Sequence, residues 1–157
     1  MGLFKKKHSH SSFMSETHQR TLHKNLEFTA TEQYKLLRTN IEFTLPQEDK
    51  CRVVGVTSSM RGEGKSTTAI NLSYVLAEKG KKVLLIDGDL RIPSIAKKMD
   101  IQRTPGLTNM IIGGNYEDIE NYRVGDLDKW YIIPAGDLPP NPSELLASSS
   151  FAFNSAS

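Results

Sequence analysis

The stretch SSMRGEGKSTTAINL, residues 58–72, constrains what this chain can fold into more than any other segment. Before it lies CRVVGVTSS, β-branched and bounded by a glycine-rich turn, which predicts a buried strand. After it, Ala69, Leu72, Val75 and Leu76 set an apolar stripe that predicts a helix from Lys65 to Lys79, with Gly80 as its stop. A second strand follows at KVLLID (82–87), whose near-continuous aliphatic run suits a parallel sheet covered on both faces. Strand, helix and strand in this order form a βαβ unit with an expected right-handed crossover. The fold class is therefore α/β, a phosphate-loop NTPase-like parallel sheet with flanking helices.

The turn between first strand and helix carries the chemistry. Arg61, Gly62, Glu63, Gly64, Lys65, Ser66 and Thr67 end the spacing that places Gly-Lys-Ser at a helix start. Glycines there let successive backbone N–H groups turn inward around phosphate oxygens, and the helix points its positive end at the same charge. In such a loop Lys65 reaches the terminal phosphates and Ser66 offers its hydroxyl to Mg²⁺, so a nucleotide with Mg²⁺ is the expected occupant. Ser59 stands where the first glycine of the motif is usual. The second strand ends in Asp87-Gly88-Asp89-Leu90-Arg91, which places two carboxylates at the carboxyl end of a parallel strand, where α/β sheets bind ligands. Asp87 and Asp89 can hold Mg²⁺ or take a proton from an attacking hydroxyl. Which of the two acts as base is left open.

Around this unit the chain divides into a basic leader at 1–27, a domain at 28–147 and a tail at 148–157. The overall net charge of +2 conceals +4 on residues 1–24 and −2 on the rest. All four histidines (His8, His10, His18 and His23) lie in that serine-rich leader, which predicts disorder and no recognised ligand pattern. In TATEQYKLLRTNIEFTLP, Thr29 and Glu32 suggest a capping box, Tyr34, Leu37 and Ile41 an inner face, and Pro46 an end. Short helices are expected at PSIAKKM (93–99) and GLTNMIIGG (106–114), and a third strand at WYIIPAG (130–136). A last helix opens at NPSELLAS (141–148), with Asn141 as cap, Pro142 in the first position and Glu144 in the third. The longest aliphatic run, VLLI at 83–86, is far too short to span a bilayer, and one cysteine, Cys51, excludes a disulfide framework. A reducing cytoplasm is the expected compartment.

These motifs together resemble the bacterial tyrosine kinases of capsular and exopolysaccharide synthesis. The resemblance runs from about residue 28 to 147 and rests on EQYKLLRTNIEF, the phosphate loop, LLIDGDLR, GLTN and PPNPSELL. It implies an ATP- and Mg²⁺-dependent transferase acting on tyrosine hydroxyls, with Lys65, Asp87 and Asp89 as catalytic residues. It also implies a membrane activator of the polysaccharide co-polymerase type, a location at the inner face of the cell membrane, and no nucleic-acid partner. An E-x-x-R-x-x-R stripe assembles the family into rings; here it reads Glu32, Lys35, Arg38, and lysine lacks the bidentate fork of arginine. Positioning and partitioning ATPases of the same fold class are an alternative, from which this loop departs in its residues around Arg61 and Glu63, which favours the kinase. A further alternative is a non-catalytic nucleotide-binding or oligomer-contact fragment. Beyond Ala147 the family's third aspartate strand and terminal tyrosine cluster have no counterpart. The expectation is accordingly a sheet incomplete at the C-terminus, a poorly folded chain and negligible phosphorylation by it alone.

Overall fold

A computed structural model describes residues 26–45, 51–113 and 118–148. The expected disordered leader, the stop at Pro46 and the tail beyond 148 lie outside the described residues. In order the chain forms α1 (Phe28–Thr44), α2 (Lys65–Glu78), β1 (Val83–Ile86), α3 (Ile95–Met99) and α4 (Leu107–Gly113). A 3₁₀ turn (Ile119–Tyr122), β2 (Trp130–Ile133) and α5 (Pro142–Ala147) complete it. Apart from the 3₁₀ turn, which the sequence reading did not place, these elements fall within a few residues of where periodicity and turn residues placed them.

β1 and β2 pair in parallel, Val83 opposite Trp130 and Ile86 opposite Ile133. Parallel strands bury both faces, and alternation along them sorts the core into two halves. Trp130 and Ile132, with Val83 and Leu85, pack on α2 and α3 through Ile70, Ala77, Ile95 and Met99. Ile133 and Ile86 face the other way, onto Leu107, Met110, Ile111 and Tyr122. The Trp130 indole is wholly buried, stacks edge-on against Tyr74 at 5.3 Å between ring centres, and donates Nε1–H to Ser73 Oγ at 3.0 Å. Ser73 in turn donates to the Ile70 carbonyl at 2.8 Å, so its place on the apolar side of α2 leaves no hydroxyl unsatisfied.

The segment 51–58 departs from expectation. It belongs to no strand, its residues are mostly exposed, and Val53 is 88% accessible. β1 takes β2 as its neighbour, and among the described residues no strand pairs with its other edge; Leu84 of β1 stays 41% exposed. β-branched composition makes a segment fit a sheet, but membership needs a partner strand alongside.

The helix α1 also differs. It starts at Phe28 after Glu27, which makes no side-chain cap bond, so Thr29 already lies inside the helix and the capping box does not form. No α1 residue is fully buried, and Leu37 of the expected inner face remains 37% exposed. Polar contacts hold it to α2 instead. Arg38 Nη1 donates to the Val75 carbonyl at 2.8 Å, and Lys79 Nζ meets Glu42 Oε2 at 2.6 Å.

The Lys79 hydrogen bond holds the Glu42 carboxyl below the usual glutamate range; burial opposes it, and the Lys79, Lys81 and Arg38 charges add to it. A depressed acid stabilises the fold above its unfolded value and stops doing so as pH falls through its folded value. Glu42→Gln should therefore cost less than about 1 kcal/mol at neutral pH, since Lys79 is half exposed, and nothing once Glu42 is protonated. Denaturant titrations of parent and variant at the two pH values check both sign and size.

A tight latch fastens α4 to the end of β2. Leu107 and Thr108 donate backbone N–H groups to the Pro134 and Ala135 carbonyls at 2.8 and 3.0 Å. The side-chain oxygen of Asn109 accepts from Gly106 N–H at 3.1 Å and Asp137 N–H at 3.3 Å, while its amide donates to Asp137 Oδ2 at 2.8 Å. Backbones approach so closely here that a β-carbon on Gly106 would sit 2.4 Å from the Gly136 nitrogen.

Candidate functional site

The loop joining residues 51–58 to α2 is shaped by its own groups. Ser58 Oγ–H donates to the Met60 carbonyl at 2.8 Å, and Met60 N–H donates to Glu63 Oε2 at 3.1 Å. Gly62 and Gly64 sit at φ 82° and 92°, with nothing within 4 Å of where a β-carbon would stand. Their glycine requirement is thus conformational rather than steric. Gly64 leads straight into α2, accepting from Thr68 N–H at 2.8 Å, so the free N–H groups of the first turn open toward the loop. Arg61, Gly62 and Glu63 are exposed, and Lys65, Ser66 and Thr67 are half-buried on that turn.

At the carboxyl end of β1 the two aspartates part. Asp87 N–H extends the ladder to the Ile133 carbonyl at 3.0 Å, and its side chain turns inward with 2% of its surface exposed. Oδ1 accepts from Asp89 N–H and Oδ2 from Ile95 N–H, each at 3.2 Å. Burial pushes this carboxyl above the usual aspartate range, against the opposing pull of the Ile95, Asp89 and Ser94 backbone and with a small added push from Asp89. Asp89 is exposed, and its Oδ1 closes its own turn by accepting from Arg91 N–H at 3.3 Å and Ile92 N–H at 2.9 Å. The backbone leaves the strand between them, so the i, i+2 spacing no longer puts both carboxylates on one face.

Phosphate loop and aspartate turn meet through hydroxyls: Ser94 Oγ donates to Ser66 Oγ at 2.8 Å. Ser94 follows the aspartate turn and precedes α3, whose first N–H is the Ile95 group bound to Asp87. Sequence reading missed this serine, although a hydroxyl residue at the mouth of an expected helix was the signal available. The oxygens present fit Mg²⁺, which favours hard oxygen ligands, keeps several waters and so needs few protein donors. Ser66 supplies a hydroxyl, and Asp87 is a buried carboxylate with only backbone N–H partners among its hydrogen bonds. No cluster of three or more His, Cys, Asp or Glu side chains suited to a metal occurs among the described residues.

The α1 stripe is not brought to this site. Glu32 and Lys35 pair with each other at 3.1 Å, and Arg38 is turned toward α2.

A family model described as "AAA domain" matches residues 51–146, which takes in the phosphate loop, the aspartate turn and the start of α5. The chain belongs to the AAA domain family. Within that family its relatives are bacterial tyrosine kinases, as the sequence motifs implied. It is 42% identical over 131 residues to Tyrosine-protein kinase YwqD of Bacillus subtilis (strain 168), covering 82% of this chain and 47% of YwqD. Among solved structures, the chimerical protein CapA2B2 superposes with a TM-score of 0.73 at 28% identity, over 87% of this chain and 58% of that one. The BceF Tyrosine Kinase Domain gives 0.69 at 32% identity, over 88% and 56%. This AAA domain chain spans about half the length of the curated relatives it matches.

Proposed function

We propose that this chain is the nucleotide-holding part of a protein-tyrosine kinase and that it binds ATP with Mg²⁺ between the 58–67 loop and the Asp87 turn. One observation carries the proposal. The two left-handed glycines deliver the phosphate loop onto the start of α2, and Ser66 on that turn is bonded to Ser94, whose neighbour Ile95 donates its N–H to the buried Asp87.

The residues take these roles. Backbone N–H groups of 61–67 surround the phosphates, Lys65 neutralises their charge, and Ser66 and Asp87 face the metal. Bound Mg²⁺ would supply charge neutralisation at the phosphate oxygens. Asp89 remains the second carboxylate at the mouth of the site, exposed to an incoming tyrosine hydroxyl. In the whole protein we place the kinase at the inner membrane face beside a membrane activator, regulating polysaccharide synthesis, with the family's ring contact through Glu32, Lys35 and Arg38 weakened, because Lys35 stands for an arginine and Arg38 is turned onto the Val75 carbonyl. No helix of the described residues is long and apolar enough to cross a membrane.

Incubation with γ-labelled ATP, Mg²⁺, a tyrosine peptide and the activator's cytoplasmic segment tests the reading. Asp87 accepts a backbone N–H on each carboxylate oxygen and Asp89 accepts two on Oδ1, so both are partly engaged before a hydroxyl arrives. The expected outcome is nucleotide bound by the chain with little label on tyrosine. Strong labelling that Asp87→Asn abolishes would extend the reading to a working kinase. Absence of any ATP binding would overturn it.

A further inference from the structure

We infer that Ser94 is a positioning residue of the nucleotide site, setting the hydroxyl of Ser66 for Mg²⁺; the inference rests on the nucleotide-binding reading above. A hydroxyl has one proton and two lone pairs. When Ser66 Oγ gives a lone pair to a cation, its own proton needs an acceptor that lies away from the positive charge. Ser94 Oγ stands 2.8 Å away and is half-buried. Serine hydroxyls rotate, so the pair can reverse: Ser94 donates to Ser66 in the metal-free chain and accepts from it when the cation arrives.

Ser94 is itself held from two sides. Its carbonyl accepts from Lys98 N–H at 3.0 Å in the first turn of α3, and the next residue's N–H is bound to Asp87 Oδ2 at 3.2 Å. The carboxylate therefore fixes the backbone that carries the serine, and the serine fixes the second oxygen donor. Residues separated by 28 positions in sequence are aligned by one hydroxyl.

Calorimetric titration with ATP, in Mg²⁺ and again in EDTA, tests the inference on the parent, Ser94→Ala and Ser94→Thr. Alanine should weaken ATP binding in Mg²⁺ by about five- to tenfold, the worth of one hydrogen bond between neutral groups, and change it less than about twofold in EDTA. Threonine, which keeps the hydroxyl, should restore the Mg²⁺ response. Equal affinities for parent and Ser94→Ala in Mg²⁺ would overturn the inference alone. An equal loss in Mg²⁺ and EDTA, or a loss that threonine leaves unrepaired, would also overturn it, since Ser94 would then be a packing residue. A parent that binds no ATP, or binds it equally with and without Mg²⁺, would overturn the nucleotide-site reading and this inference with it.

Discussion

Lys65→Met should weaken ATP binding on the order of 100-fold, because a charge-assisted contact to phosphate contributes roughly 1.5 to 3 kcal/mol. The lysine opens α2 directly after the left-handed Gly64, so its ammonium and the helix N-terminus act on the same charge. Methionine keeps the length and helical preference of the side chain and removes only the charge. The helix should therefore persist, with unchanged far-ultraviolet circular dichroism, while affinity collapses. Affinity equal to the parent's would remove the phosphate-loop assignment.

Gly106→Ala should be among the most destabilising single changes in the described residues. The added carbon would meet the Gly136 nitrogen at 2.4 Å and the Pro134 oxygen at 2.5 Å, both backbone atoms that cannot rotate away. Relief requires α4 to lift from the end of β2, which breaks the two bonds from Leu107 and Thr108 to 134 and 135. Overpacking and lost hydrogen bonds together set the expected cost at about 3 to 5 kcal/mol. Trp130, the single tryptophan and wholly buried, reports it through a lower denaturation midpoint and a red-shifted emission. Gly113→Ala, with no atom near its β-position, is the control expected to leave the stability within about 0.5 kcal/mol of the parent.

What could be read from the sequence was whatever neighbouring residues decide among themselves. The extent of α2 with its stop before Gly80, the aliphatic β1 and the Pro142 start of α5 are all local, and the structure has them, although α2 buries Ile70 and Ala77 beside Leu72 and Val75 and leaves Ala69 and Leu76 only half-buried. Val53 and Val54 look as strand-like as Val83 and Leu84, yet only the second pair lies in a sheet, because pairing depends on what lies alongside. The candidate site divides in the same way. Gly62, Gly64, Lys65 and Ser66 follow one another and were legible as a phosphate loop. The Ser66 to Ser94 and Ser73 to Trp130 hydrogen bonds join residues far apart in the chain, and no pattern near either serine announces its partner. Asp87 and Asp89 were legible as a pair but not as one buried and one exposed carboxylate, since that difference arises where the backbone turns out of β1.

Hydrogen–deuterium exchange with and without Mg-ATP tests the central claim, that nucleotide lies between the phosphate loop and the aspartate turn, most directly. The predicted result is slowed exchange at 61–67 and 88–95, absent in Lys65→Met. Binding that slows exchange elsewhere, or leaves these two segments unchanged, would contradict it.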